Sequence, residues 1–202
     1  MRIVLEKNPM LRPLLLSMGL GLCLGTAALS LAEEKPAATV EVKAGELKLQ
    51  VPGAWESKPP SNNLRLAQFN VPAAEGDAAG AEVVVFPPFG GSIGANIQRW
   101  VGQFEADGRE LKMLQGAVEQ GKYVLVELKG TYKKPIGPPI QQKTEATPGS
   151  KMLAVIFQSK AGGNYFLRLV GPEKTVDANA AAFRKAFGGD AAKEEKYEIP
   201  AE

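Results

Sequence analysis

The 202-residue chain contains no histidine and a single cysteine, Cys23. Without histidine there is no imidazole to act as a general base, ligate a metal or titrate near neutral pH. Without a second cysteine no disulfide closes within the chain. Neither a structural zinc site nor an iron–sulfur cluster has its usual ligands. An oxygen-only calcium or magnesium site needs an acidic loop with ligand spacing, and none stands out. Serine nucleophiles exist, but no histidine can activate them. A Ser-Lys pair stays formally open, with no motif to select it. These absences give no metal, no cofactor and no assigned catalytic residue.

Long apolar runs are also scarce. The only one that stands out is Leu14 to Leu24, about eleven residues and too short for a membrane span of about twenty. Arg2, Lys7 and Arg12 precede or flank it, and Ser30-Leu31-Ala32 follows with small residues at −3 and −1 before Glu33. That is the layout of a secretory signal peptide over residues 1–32, with Thr26-Ala27-Ala28 as a second cleavage site. An uncleaved anchor is the alternative. Cys23 follows Leu22, where a lipobox carries Gly, Ala or Ser, so it reads as one more apolar residue of the leader. The expectation is a chain that is cleaved near Ala32 and works outside the cytoplasm, in the periplasm or secreted. No transmembrane segment is expected beyond the leader.

Neither sign of charge is in excess beyond the leader. Residues 1–32 hold three of the 24 Lys and Arg and one of the 22 Asp and Glu, which leaves 21 of each. A balanced chain lacks the basic footprint of a nucleic-acid binder, so no nucleic-acid partner is expected. The 170 residues after Ala32 suit one domain that can bury a core without staples.

What the chain does have is pattern. Glu33 to Ala44 is rich in Ala, Glu and Lys and reads as a flexible arm. Leu47, Leu49 and Val51 alternate with polar residues, as a half-buried strand does. Trp55 is either an exposed ligand contact or a core plug at the sheet edge, and burial is the commoner use of such a residue. Leu64 to Val71 and Glu82 to Phe86 read as strands. After the turn Pro87 to Ser92, residues Ile93, Ile97, Trp100, Val101 and Phe104 share one helical face. Lys112–Glu119 with Lys122–Tyr132, and Met152–Gln158 with Tyr165–Val170, read as two hairpins. Between them, Lys133 to Lys151 holds Pro135, Pro138, Pro139 and Pro148 and little to bury, so it reads as a long polar loop. Thr175 can cap a second helix with Val176, Ala180, Phe183 and Phe187 on one face, ended by Gly188-Gly189. Residues 190–202 read as a charged, solvated tail. The single domain thus spans residues 45–189.

Strand order and hairpins give an α+β fold, a mostly antiparallel sheet with two main helices packed on it. The fully apolar Val83–Phe86 and Met152–Phe157 should lie centrally. Over Gly45 to Phe187 the pattern resembles the Mog1/PsbP-like fold, an α/β/α sandwich, and secreted bacterial proteins of unassigned function. The residues that carry it are Val51-Pro52 with Trp55, Asn96-Ile97-Gln98-Arg99-Trp100 with Gln103-Phe104, Gly130-Thr131-Tyr132, and Leu169-Val170-Gly171-Pro172 with Thr175. PsbP-like relatives assist photosystem assembly or oxygen evolution, and Mog1 binds a small GTPase. No functional residue of either is matched here.

Two candidate sites follow. Ser92, Asn96, Arg99 and Gln103 can line a small polar site, because i, i+3 and i+4 neighbours meet. Glycines before Ser92 add backbone donors for an anion, though the turn fits neither a P-loop nor G-x-G-x-x-G. The second is a partner loop of Lys133, Lys134, Pro135, Ile136, Pro138, Pro139 and Ile140. The expected function is a non-catalytic extracytoplasmic binding or assembly module with an envelope protein as partner. The alternative is a hydrolase or lyase using carboxylates, Lys or Ser. The sequence carries no signal for oligomeric state.

Overall fold

Strands with apolar residues at both parities must be covered on both faces. Met152 to Phe157 and Tyr165 to Val170 have that character, and both lie at the middle of the sheet. The computed structural model describes residues 38–137 and 139–200. The leader, residues 33–37 of the predicted arm, Pro138, Ala201 and Glu202 lie outside them, as does the side chain of Pro139.

In chain order the elements are β1 (Thr39–Ala44), β2 (Leu47–Pro52), β3 (Glu56–Lys58), β4 (Ala67–Val71), β5 (Ala81–Phe86) and α1 (Ile93–Val101). There follow β6 (Glu110–Val118), β7 (Gly121–Pro135), β8 (Thr144–Ser159), β9 (Asn164–Pro172), α2 (Glu173–Ala186) and β10 (Glu195–Lys196). Eight strands form one antiparallel sheet in the order β10-β6-β7-β8-β9-β5-β4-β3. The β1–β2 hairpin stands apart from it. The fold is α+β, as expected. Among the described residues no helix is long and apolar enough to cross a membrane.

Alternation sorts each strand into two cores. Val83, Val85, Leu153, Val155, Phe157, Leu167 and Leu169 pack with Val176, Phe183 and Phe187 of the α2 region and with Leu47, Leu49 and Val51 of β2. The opposite face carries Val126, Leu128, Met152, Ala154, Ile156 and Phe166 against Ile97, Trp100 and Phe104. Trp100 is 5 % exposed and Trp55 is equally buried, so both tryptophans are core. The indole N–H of Trp55 donates to Asn179 Oδ1 at 3.0 Å, which satisfies its one polar atom.

The helix ends are held differently. Ser92 caps α1, its hydroxyl accepting from the Ala95 amide at 3.1 Å. Arg109 donates to the Val101 carbonyl at 3.1 Å and so satisfies the far end. α2 starts at Glu173, two residues before the expected cap, Thr175. Asp77, nearly a hundred residues earlier, does the capping. Its carboxylate accepts from the Thr175 amide at 2.8 Å and hydroxyl at 2.6 Å. An anion at a helix N-terminus is electrostatically favoured.

Four segments differ from their sequence reading. The arm over residues 33–44 is a strand from Thr39, because Val42 and Ala44 alternate inward and pair with Leu49 and Leu47. A short strand, β3, occupies Glu56–Lys58, which the sequence did not signal. The polar loop over 133–151 is mostly ladder. β7 runs to Pro135 and β8 starts at Thr144, so the pair extends as a long hairpin arm. Two of its prolines sit where no ladder donor is needed. Pro135 ends β7, and Pro148 lies at the irregularity opposite Gly130–Tyr132. The tail over 190–202 is not wholly solvated. A 3-10 turn at Ala191–Lys193 leads into β10, which pairs with β6 through Glu195–Gln115 and Lys196–Leu114.

Candidate functional site

α1 is only nine residues long and covers one part of its sheet face. Beyond it, β3, β4 and β5 turn Glu56, Asn70, Gln68 and Glu82 to the same side. Past the irregularity at Gly130–Tyr132 the β7–β8 arm forms a wall, contributing Tyr132, Lys134, Pro135, Thr147 and Ser150. Gly130 permits the departure. Its φ is 141°, and a Cβ there would stand 3.3 Å from the Arg109 backbone. The loop from Pro72 to Ala81 closes the other side. Between them lies a cleft of about 720 Å³. That volume is in the range of small-molecule sites, roughly 300–1,000 Å³.

Two arginines define its chemistry. Arg168 stands in the middle of β9, the one charged residue between Phe166 and Val170 on this face. Its guanidinium lies 5.9 Å from the Phe86 ring centroid, and its Nη1 donates to Gln103 Oε1 at 3.4 Å. Its Nε is buried and has no partner. Arg65 donates through Nη1 to Glu82 at 3.1 Å, and its Nε too is buried without a partner. Gln68 donates to the same Glu82 oxygen at 2.9 Å.

The four helix residues predicted as a site are divided by the structure. Ser92 is the cap. Asn96 is 3 % exposed, donates to the Ser92 carbonyl at 2.9 Å and accepts from Arg99. Arg99 sits 5.3 Å from the Phe89 ring centroid, and Phe89 stacks on Phe166 at 4.2 Å. These three hold the Phe86–Ser92 turn to the helix. Gln103 alone reaches the cleft chemistry, through Arg168. It lines a recess of about 360 Å³ with Lys133, Pro135, Gln142 and Arg168. The predicted loop meets the same place, since Lys134 and Pro135 line the cleft. Ile136 and Ile140 crown the arm, Ile140 at 90 % exposed. Arg168 therefore joins the two predicted regions. Its sequence signal was a lone charge inside the apolar run Tyr165 to Val170, where an unpaired charge is costly. Arg65 had no such signal.

The α2 face holds a contrasting arginine. Arg184, 6 % exposed, donates through Nε to Glu194 at 2.9 Å and through Nη2 to Glu127 at 2.6 Å. Burial alone would pull its pKa down, but the hydrogen bonds and charges of Glu194 and Glu127 outweigh this and push it up. Tyr123 donates to Glu194 at 3.1 Å. Burial first, then the Glu194 charge, pushes the Tyr123 pKa up to about 12. Glu194, read from the sequence as a solvated tail residue, has a side chain only 2 % exposed. This cluster ties the tail and α2 to the sheet. Among the described residues no group of three or more Asp and Glu side chains is arranged to hold a metal ion.

No family model matches the chain, and no curated protein does. Solved structures similar to it include the following two. One is the solution structure of cyanobacterial PsbP (CyanoP) from Synechocystis sp. PCC 6803, at 10 % identity and a TM-score of 0.43. That match covers 82 % of this chain and 96 % of CyanoP. The other is PA94, a protein of unknown function from Pseudomonas aeruginosa, at 15 % identity and a TM-score of 0.40. It covers 73 % of this chain and 92 % of PA94.

Proposed function

We propose that the protein is a non-catalytic binding module that works outside the cytoplasm and binds through the cleft under the β7–β8 arm. The observation that carries this reading is Arg168, a charge on a central strand whose buried Nε has no partner. A fold seldom leaves such an atom unsatisfied without a use for it. The signal-peptide layout of residues 1–32 supports the location. The cleft chemistry supports binding over catalysis. Its carboxylates are already engaged, Glu82 by Arg65 and Gln68 and Glu56 by Lys58, and no histidine stands beside any nucleophile.

The test shortens the arm and leaves the sheet. Lys133 faces Ala146, so Asn-Gly replacing residues 134–145 closes a two-residue hairpin there. Native mass spectrometry then compares the two proteins recovered from the envelope fraction. The wild type should carry a bound component and the shortened protein should lose it at an unchanged melting temperature. Equal retention would place binding elsewhere.

A further inference from the structure

If the cleft is the binding surface, its charge pattern narrows what it takes. Arg65, Lys134 and Arg168 oppose Glu56 and Glu82. Glu82 is held by Arg65, and Glu56 is held by Lys58. Arg168 and Lys134 have no carboxylate within ion-pair distance among the described residues. They are therefore left as two unpaired positive charges, which suit an anion. The two Nη groups at the end of a guanidinium form a planar fork whose N–H bonds a carboxylate accepts with two oxygens. At that end Arg168 has one contact, from Nη1 to Gln103 at 3.4 Å and long enough to yield, and its Nη2 donates to none of the described residues. Arg65 has its Nη1 on Glu82, and its Nη2 donates to none of the described residues. Around them Val71, Val170 and Pro172 give apolar wall.

We propose that the cleft binds a carboxylate carried on an apolar body, with Arg168 as its main partner and Arg65 as a second donor. Such a group occurs on free small organic acids and at peptide ends. The proposal rests on the cleft being the binding surface.

The arginine side-chain Nε–H signals of ¹⁵N-labelled protein read it directly. The probes are acetyl-Ala-Ala-Phe with a free carboxylate, the same peptide as its amide, 3-phenylpropionate and inorganic phosphate. The acids should move the Arg168 and Arg65 signals and leave that of Arg184, already bonded to Glu194, in place. The peptide amide should bind at least tenfold more weakly than the acid. Arg168→Met should lose at least tenfold in acid affinity, and Arg168→Lys should recover only part, because it restores the charge without the fork. Tighter binding of the peptide than of 3-phenylpropionate assigns a peptide source, and equal binding assigns a free acid. Either supports the proposal. If Arg168→Met melts low, the comparison of acid with amide on the wild type decides alone. Amide and acid binding equally, with cleft amide signals moving, would overturn the carboxylate assignment but not the cleft as a surface. Phosphate binding as tightly as the acids, or no probe moving Arg168, would overturn it as well.

Discussion

Arg184 and Arg168 face the central sheet from opposite sides, and the sheet treats them differently. Arg184 is enclosed by two carboxylates, with Tyr123 completing the hydrogen bonds to Glu194. Arg168 has an amide oxygen at 3.4 Å, an aromatic ring and an empty Nε. A buried charge that is fully paired belongs to the fold, and removing its partners leaves a costly orphan. A half-buried charge with an unpaired donor costs the fold, and its outer donors are available to something else. The two faces therefore divide the labour. The α2 face locks the tail and helix onto the sheet, and the α1 face keeps a cleft open beside a short helix.

Substitutions can break this contrast, and the largest effect should fall on the paired side. Arg184→Ala leaves Glu194 and Glu127 without their cation and should cost about 3–5 kcal/mol, read from a urea melt. A cost under about 1 kcal/mol would mean that the cluster is as weak as an exposed ion pair. Glu194→Gln keeps the shape and removes the charge. It should cost about 1.5–3 kcal/mol, the range for hydrogen bonds to charged groups.

Tyr123 sharpens the same side through pH. Its pKa lies near 12 in the folded protein, and an unfolded tyrosine titrates near 10. The fold favours the neutral phenol. Its contribution is complete below about pH 10 and is lost as pH rises towards about 12. The stability of the wild type should fall across that window more steeply than that of Tyr123→Phe. Parallel curves would remove Tyr123 from the cluster. The smallest loss of stability belongs to the other face, where Arg168→Met removes a buried donor that has no partner and should leave the urea midpoint unchanged or raised.

The sequence made the sheet and both helices legible because their apolar residues keep a strict period. Val176, Phe183 and Phe187 announce α2, and Ile97, Trp100 and Phe104 announce α1. Where period gave way to composition, the reading failed. The prolines of residues 133–151 suggested a loop, yet Pro135 and Pro148 occupy the end and the irregularity of a ladder. The charges of 190–202 suggested solvent, yet Glu194 is drawn in by an arginine on α2. Long-range partners of this kind leave no local trace. Asp77 capping α2 is another. Of the candidate site, Gln103, Lys134 and Pro135 were legible from a helix face and a proline-rich stretch. Arg168, which unites them, was visible only as a charge in an apolar strand.

The decisive measurement pairs a urea melt with native mass spectrometry on one protein, Arg168→Met recovered from the envelope fraction. An unchanged or raised melting midpoint with loss of the component bound by the wild type is the expected result. A lowered midpoint with the component retained would make Arg168 a structural residue like Arg184, and would contradict the assignment of binding to the cleft.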